Sequence, residues 1–272
     1  MNLIFAIFAI VSLLCWLLAS FFSIKIKVKK TLLFQSIGIL LFGLLIVWLW
    51  VTLQRPLFKT MGETRIWYSF FLSILGGVTY WHWKIGYLLT FTNLLASVFV
   101  IITICKPEVQ SQVLMPALQS VWFIPHVAVY MFAYAAIGCA TVLAILELIY
   151  FKHKGRKEFT MEIEIKCNVL IKIGTAALGI GLCLGAIWAK KAWGQYWSWD
   201  IKETAALITW AIFLLHIHLQ KITKINRKFL SILVLIGFLS LQFTWYGVNY
   251  LPTTQKSMHL FYSWVIPKYL NS

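Results

Sequence analysis

The chain has 272 residues, of which 61% are hydrophobic and 12% are charged, and its formal net charge is +16. Soluble domains carry about 45–50% apolar and roughly 25% charged residues, so this composition excludes a soluble, disordered or disulfide-framed protein and indicates a polytopic protein of the lipid bilayer. Most basic residues lie between apolar runs, where they report orientation in the membrane, so we expect no nucleic-acid partner.

The apolar runs predict an all-α fold, a polytopic bundle of about eight transmembrane helices that forms a single membrane domain over residues 1–272. A spanning helix needs about 20 consecutive apolar residues, and each run approaches that length. Only Lys84 separates the third run from the fourth, and the seventh run is short. In chain order the runs cover residues 3–22, 32–53, 66–83, 85–105, 125–151, 169–189, 205–219 and 229–248.

The basic residues between these runs are distributed unequally over the two sides of the membrane. The larger group lies in segments 25–30, 152–166 and 221–228, together with Lys84. The positive-inside rule places this group in the cytoplasm, so both termini are predicted to lie outside. We expect a bacterial cytoplasmic (inner) membrane, with the loop after the sixth run on the periplasmic side.

That loop belongs to an aromatic segment, residues 188–200, which holds four tryptophans and one tyrosine. Tryptophans are common at membrane interfaces, so an aromatic belt is the simpler interpretation. Clustered indoles also offer an apolar surface to a planar ligand, and a glycine among them allows a tight turn or a close approach of that ligand. Both interpretations stay open; the ligand platform would consist of Trp193, Gly194, Trp197 and Trp199.

Asp200 follows the aromatic segment directly and precedes the seventh run. Asp200 and Glu203 have the spacing of a capping box, with Asp in place of Ser or Thr. An acidic residue at a helix N-terminus is also favoured by the helix dipole. We therefore predict that Asp200 caps the seventh helix and fixes the position of the aromatic segment.

Three segments carry a family resemblance: WGQYWSWDIKETAALITW, FIPHVAVYMFAYAA, and WYGVNYLP followed by SMH. The first is similar to the tryptophan-rich WWD signature of the haem-handling proteins of cytochrome c maturation. The other two resemble the segments of the CcsA (ResC) family that carry external histidines. The likeness covers a haem-handling core at about residues 115–260, whereas residues 1–110 match only loosely.

His126 and His259 are predicted to lie on the same side of the membrane as the aromatic segment, before the fifth run and after the eighth. Taken singly, each is an ordinary interfacial or loop histidine. Imidazole commonly ligates haem iron, so two histidines beside an aromatic platform suggest a bis-histidine haem site. The resemblance implies the same roles, with both histidines as ligands of an external haem b.

His216 and His218 lie late in the seventh run, and an i, i+2 pair lies on different faces of a helix. Ionisable residues at membrane depth usually face the bundle interior, so one of the two is a functional candidate. The resemblance places a transmembrane histidine at position 218. Because this position lies roughly 20 Å below the outer face, His218 as a haem ligand would serve a second, inner site whose other ligand a partner subunit would supply. We interpret His216 as a packing or interfacial residue.

The resemblance implies a protein that receives haem in the bilayer and presents it outside. There the Cys-x-x-Cys-His motif of an apocytochrome c would attack the haem vinyl groups. The chain would act within a holocytochrome c synthase together with a CcsB (ResB) type membrane subunit, and no catalytic residue is assigned to the chain itself.

Three alternatives are open at this point. A CcmC-like protein that delivers haem to a chaperone usually has six spans, and eight apparent runs favour CcsA. A haem-bearing electron-transfer subunit needs paired histidines at matched depth, for which His82 and His218 are the candidates. A secondary transporter predicts internal repeats, and none stands out in the sequence.

Overall fold

The computed structural model describes residues 3–58, 60–105, 120–150, 157–222 and 225–251. Every regular element in these ranges is helical, which confirms the predicted polytopic helical bundle. The helices are α1 Leu3–Ile24, α2 Val28–Leu53, α3 Met61–Trp83, α4 Gly86–Cys105, α5 Phe123–Tyr150, α6 Lys157–Trp193, α7 Ile201–Leu219 and α8 Arg227–Trp245, followed by a short 3-10 helix at Gly247–Tyr250.

Several helices begin earlier than the apolar runs, because polar residues build their first turns. Helix α3 starts at a capping box in which Thr60 Oγ1 accepts from the Glu63 amide at 3.2 Å and Glu63 accepts from the Thr60 amide at 3.3 Å. Helix α6 has 37 residues and is therefore about 55 Å long, well beyond a hydrocarbon core of about 30 Å. Its charged first part is stabilised by an ion pair between Glu162 and Lys166.

Six of the eight helices are long and apolar enough to cross a membrane: α1, α2, α4, α5, α6 and α8. Helices α3 and α7 carry more polar residues, among them buried Glu63 on α3 and buried His216 on α7. Lys84, with a φ of 56°, ends α3 in a left-handed conformation, so the predicted division between the third and fourth runs is confirmed.

The first four helices are held together by two buried amide side chains, Gln35 on α2 and Asn93 on α4. Asn93 Nδ2 donates to Gln35 Oε1 at 2.8 Å, and Gln35 Nε2 donates to Asn93 Oδ1 at 3.1 Å. Asn93 also donates to the Trp16 carbonyl of α1 at 3.1 Å, and Gln35 to the Ser73 carbonyl of α3 at 2.8 Å. This Gln35–Asn93 network therefore links all four helices inside an apolar bundle.

Helix α5 is the central helix, since 78% of its most apolar window is buried. Aromatic side chains join it to α8 and α3: Trp245 contacts Tyr134 at a centroid distance of 5.4 Å and Tyr68 at 5.0 Å. The first turn of α8 lies beside the last turns of α5, where Ser231 donates to Glu147 at 2.8 Å. Helix α8 thus runs antiparallel to α5, and its C-terminal end points toward the end of the bundle that carries His126.

Candidate functional site

His126 lies in the first turn of α5 and is oriented by α6. Its Nδ1 is 2.9 Å from the carbonyl oxygen of Gly181. A carbonyl oxygen only accepts, so Nδ1 carries the proton and Nε2 carries the lone pair. A backbone carbonyl that fixes the Nδ1–H tautomer is the usual support of a histidine that ligates a metal through Nε2.

Glycines of α6 make room for this ring. A Cβ atom built on Gly185 would lie 2.7 Å from His126 Cε1 and 2.9 Å from Nδ1, closer than side-chain carbons ever approach. A Cβ on Gly181 would lie 3.2 Å from the ring of Tyr130, which meets His126 edge to face at 4.7 Å. The Gly-x-x-x-Gly spacing therefore sets both the helix approach and the position of the imidazole. Neither glycine was singled out in the sequence, although their spacing was the available signal.

An aromatic wall extends from His126 to the end of α6. The Trp188 ring stacks on His126 at 5.6 Å and 23°, and it contacts Phe123 at 5.0 Å. Trp193, the last residue of α6, meets Trp188 edge to face at 4.7 Å. The structure thus brings the predicted platform residue Trp193 and the predicted ligand His126 to one wall, with Trp188 between them.

The turn that follows α6 has an unusual backbone. Gly194 has a φ of 82°, and no atom lies within 4 Å of a Cβ built there, so the glycine serves the tight turn and not a close approach within the protein. Lys190 Nζ donates to the Gly194 carbonyl at 2.8 Å. Trp199 also lies in the left-handed region, with a φ of 59°, although 71% of the residue is exposed. A bulky residue in this conformation is a genuine outlier, and such strain clusters at functional sites.

Trp197 and Trp199 form a second indole pair, with centroids 5.8 Å apart and planes at 85°. The Trp197 indole N–H is buried and has no hydrogen-bond partner in the described part of the chain. Because Trp199 is exposed, this pair presents an aromatic surface outside the packed core of the bundle.

The predicted capping role of Asp200 is confirmed. Its side chain accepts from the Lys202 amide at 2.9 Å, and Glu203 accepts from the Asp200 amide at 3.2 Å. Glu203 also accepts from the Ser198 amide at 2.8 Å, so one carboxylate holds the turn and the helix start together. Asp200 therefore fixes the start of α7 directly after Trp199.

The two histidines of α7 face opposite ways. His216 is buried, with 3% exposure, and its Nε2 lies 3.0 Å from Asn168 Oδ1, so of the two interpretations, packing or interfacial, the packing one is confirmed. His218 is exposed, and its Nδ1 lies 2.8 Å from the Leu214 carbonyl of its own helix. The expectation that a functional histidine faces the bundle interior thus fails for His218, because its face of α7 is not covered by the other described helices.

The remaining predicted site residue, His259, lies outside the described residues, which end at Leu251. His82 is exposed at the end of α3, in agreement with an interfacial position. Neither His82 nor His218 pairs with another histidine in the described ranges, so the two candidates for an electron-transfer haem are not brought together.

Comparison with known proteins identifies the family. Residues 1–255 match the profile described as Cytochrome C assembly protein. The cytochrome c biogenesis protein CcsA of Chlamydomonas reinhardtii is 37% identical over 170 residues, a match that covers 61% of this chain and about half, 48%, of that relative. The CcsA of Cuscuta exaltata is 30% identical over 232 residues, which cover 74% of this chain and 75% of the relative.

A solved structure shares the fold. The cytochrome c heme lyase CcmF superposes with a TM-score of 0.68 over 89% of this chain and 46% of that chain. The sequences are only 14% identical in this match, so it speaks for the arrangement of the helices alone. The profile match and the CcsA relatives show the family, and the shared fold agrees with it. This chain belongs to the cytochrome c assembly protein family and is related to its CcsA members.

Proposed function

We propose that this cytochrome c assembly protein holds haem at the end of the bundle where α5 begins and presents it there to an apocytochrome c. The observation that supports the proposal is the hydrogen bond from His126 Nδ1 to the Gly181 carbonyl, which leaves Nε2 as the nitrogen that would ligate the haem iron. The indoles of Trp188 and Trp193 provide the adjoining apolar wall for a porphyrin. The donor chemistry of this site fits haem b as the transported substrate.

His259 is the proposed second axial ligand. The course of α8 supports this role, because the helix starts beside Glu147 and proceeds toward the end of α5 that carries His126. The tail that contains His259 follows directly after the short 3-10 helix Gly247–Tyr250. Together, His126 and His259 would bind the haem iron through two imidazoles.

Trp197, Trp199 and Gly194 are proposed to shape the surface on which the haem lies. The left-handed backbone at Trp199 keeps an indole exposed, and the Asp200 cap keeps that backbone in place. Exposed Lys191 is available to pair with haem propionates, whereas Lys190 already holds the Gly194 carbonyl.

His218 is proposed to ligate a second, inner haem together with a residue of a CcsB (ResB) type subunit. Its exposure on α7 supports this, since a histidine on an uncovered helix face at membrane depth is costly unless a partner covers it. His218 lies about 27 Å along α7 from Asp200, so one haem cannot reach both His218 and the outer site. The orientation with the aromatic turn on the outer side of a bacterial cytoplasmic membrane stays part of the proposal.

The proposal is tested by purifying the chain with its CcsB-type partner and recording the visible spectrum for bound haem. Covalent attachment is measured as haem stain on a reporter apocytochrome c in a host that lacks other maturation systems. Haem-free complex that still matures the reporter, or haem bound equally by a His126→Gly, His259→Gly double variant, would refute the assignment.

A further inference from the structure

A small cavity lies at the end of the bundle opposite His126. It is lined by residues of four helices, and its volume is about 10 Å³, roughly the space that one water molecule needs. Glu147 on α5 and His216 on α7 are each 3% exposed and both line it. Glu147 lies about 31 Å along α5 from His126, so the cavity is no part of the proposed haem site.

Two acceptor atoms at this cavity have no hydrogen-bond partner among the described residues: Glu147 Oε1 and His216 Nδ1. Glu147 Oε2 accepts from Ser231 at 2.8 Å, and His216 Nε2 donates to Asn168 Oδ1 at 3.0 Å. Asn168 Oδ1 can only accept, so the proton of the neutral imidazole is on Nε2 and its Nδ1 is an acceptor. The backbone of Leu230 also faces the ring, but outside hydrogen-bond geometry with Nδ1.

Glu147 has no ion pair of its own among the described residues, and the opposite charges of Arg227 and Glu164 nearby act on it in opposite directions. Arg227 pairs with Glu164 at 3.2 Å, and the other titratable groups that line the cavity are Cys167 and His216. Helices α3 and α4 also pack on α5, but none of their described titratable residues lines the cavity. An ionised Glu147 would thus be a buried charge that accepts one hydroxyl hydrogen bond, which is costly in a low-dielectric interior.

We propose that the cavity is a proton-binding site in which Glu147 holds the proton on Oε1 and donates it to one water, which in turn donates to Nδ1 of neutral His216. The proton on Oε1 removes the charge of Glu147 and is donated in a hydrogen bond to the water, and the water donates one of its hydrogens to His216 Nδ1. The site joins α5 to α7 by hydrogen bonds. A metal cation fits less well, because the cavity admits only one water-sized species and offers few oxygen ligands.

The test is infrared difference spectroscopy on the purified full-length chain, looking for the C=O band of a protonated carboxylic acid. We expect this band at neutral pH, a shift of the band in heavy water, and its loss in Glu147→Gln. The matched control Glu164→Gln should keep the band, since Glu164 is paired with Arg227. Glu147→Asp, a second variant that retains the acid, should keep a band of changed frequency.

Two further measurements distinguish a bound proton from a bound metal cation and test the bridging water. His216→Leu should move the band to higher frequency, because the bridging water loses its acceptor. Replacing the salt choline chloride, whose cation is too large for the cavity, by sodium chloride should leave the carboxylic acid band unchanged. Absence of the acid band in the wild-type chain at neutral pH, its persistence in Glu147→Gln, or its disappearance on addition of sodium would each overturn the proposal.

Discussion

In the first four helices, Gln35 and Asn93 direct their amide groups at each other and at the carbonyls of α1 and α3. In the last four helices, His126 uses Nδ1 to hold its ring against α6, and that ring lies in an aromatic wall. In the first arrangement, the polar atoms are used in hydrogen bonds that hold the helices together. The second fixes the proton on one nitrogen of His126, which is the state that its proposed role as a ligand through the other nitrogen requires. Burial of a polar side chain alone therefore does not tell a structural residue from a candidate ligand. The hydrogen-bond partner of each of its polar atoms does.

The largest effect is expected at His126. His126→Gly should abolish haem attachment to the reporter cytochrome while the chain still accumulates, because a ligand is lost and no helix contact of the Gln35–Asn93 network is touched. Added imidazole should restore part of the activity by occupying the freed position. His82→Gly, at an exposed histidine of α3, is the control and should mature the reporter normally. Full activity of His126→Gly without imidazole would show that this histidine is not a ligand.

Gly185→Ala should give the next largest loss of haem attachment without removing any ligand atom. The added methyl group would sit 2.7 Å from His126 Cε1, so the ring must move and its hydrogen bond to Gly181 is strained or broken. We expect roughly tenfold lower haem attachment, corresponding to about 1.4 kcal/mol for one hydrogen bond. Gly43→Ala is the matched control, because its methyl group would meet Phe70 at an ordinary 3.5 Å. Equal activities of the two alanine variants would mean that His126 does not depend on α6.

Asn93→Leu should act on stability and leave the site intact. Gln35 would keep buried polar atoms without their partner, at a cost of about 1–3 kcal/mol. We expect a lower unfolding midpoint in detergent and less accumulated protein, but an unchanged haem spectrum per folded chain. Adding Gln35→Leu should restore part of the stability, since both partners are then apolar. A changed haem spectrum in Asn93→Leu would break the division between the two halves.

Substitutions in the aromatic segment, residues 188–200, should have smaller effects. Single alanine substitutions of Trp193 or Trp197 should weaken haem retention by about 1 kcal/mol, or roughly fivefold, without unfolding the chain. Trp199→Gly should weaken retention while it relieves the left-handed backbone, so its unfolding midpoint should rise or stay unchanged. Trp81→Ala, at an exposed indole of α3, controls for the loss of a surface tryptophan. Unchanged haem content in the triple variant of Trp193, Trp197 and Trp199 would reject a platform.

His218→Ala should lower haem at both proposed sites, because the inner site is expected to supply the outer one. The structure makes the comparison with His216 more specific than the sequence did. His216→Ala should disturb the cavity beside Glu147 and remove the contact with Asn168, and it should leave the outer haem in place. Normal outer haem in His218→Ala at native haem levels would contradict a two-site route.

The sequence predicted the helices well because apolar runs of spanning length allow few alternatives in a bilayer. Helix starts were missed where capping and ion pairs extend a helix beyond its apolar run, as at Thr60 on α3 and in the charged first part of α6. Asp200 was predicted correctly as a cap because a capping box is a local pattern of three residues' spacing.

The parts of the site that depend on tertiary packing were not predicted. Which face of α7 is covered is decided by α6 and α8, so the sequence left open whether His216 packs inside the bundle or lies at the interface, and the structure shows that it is buried. The support of His126 by the Gly181 carbonyl joins residues 55 positions apart, and no local pattern announces it. Gly185 was detectable only through its spacing from Gly181, a pattern that also marks ordinary helix packing.

The central claim, that His126 and His259 ligate one haem, is tested most directly by electron paramagnetic resonance of the purified complex in its ferric state. The account predicts a low-spin signal in the wild-type complex and a high-spin signal in either His126→Gly or His259→Gly. Added imidazole should convert that high-spin signal back to low-spin. The claim would be contradicted if both variants, at unchanged haem content, gave the same low-spin spectrum as the wild-type complex and no high-spin signal.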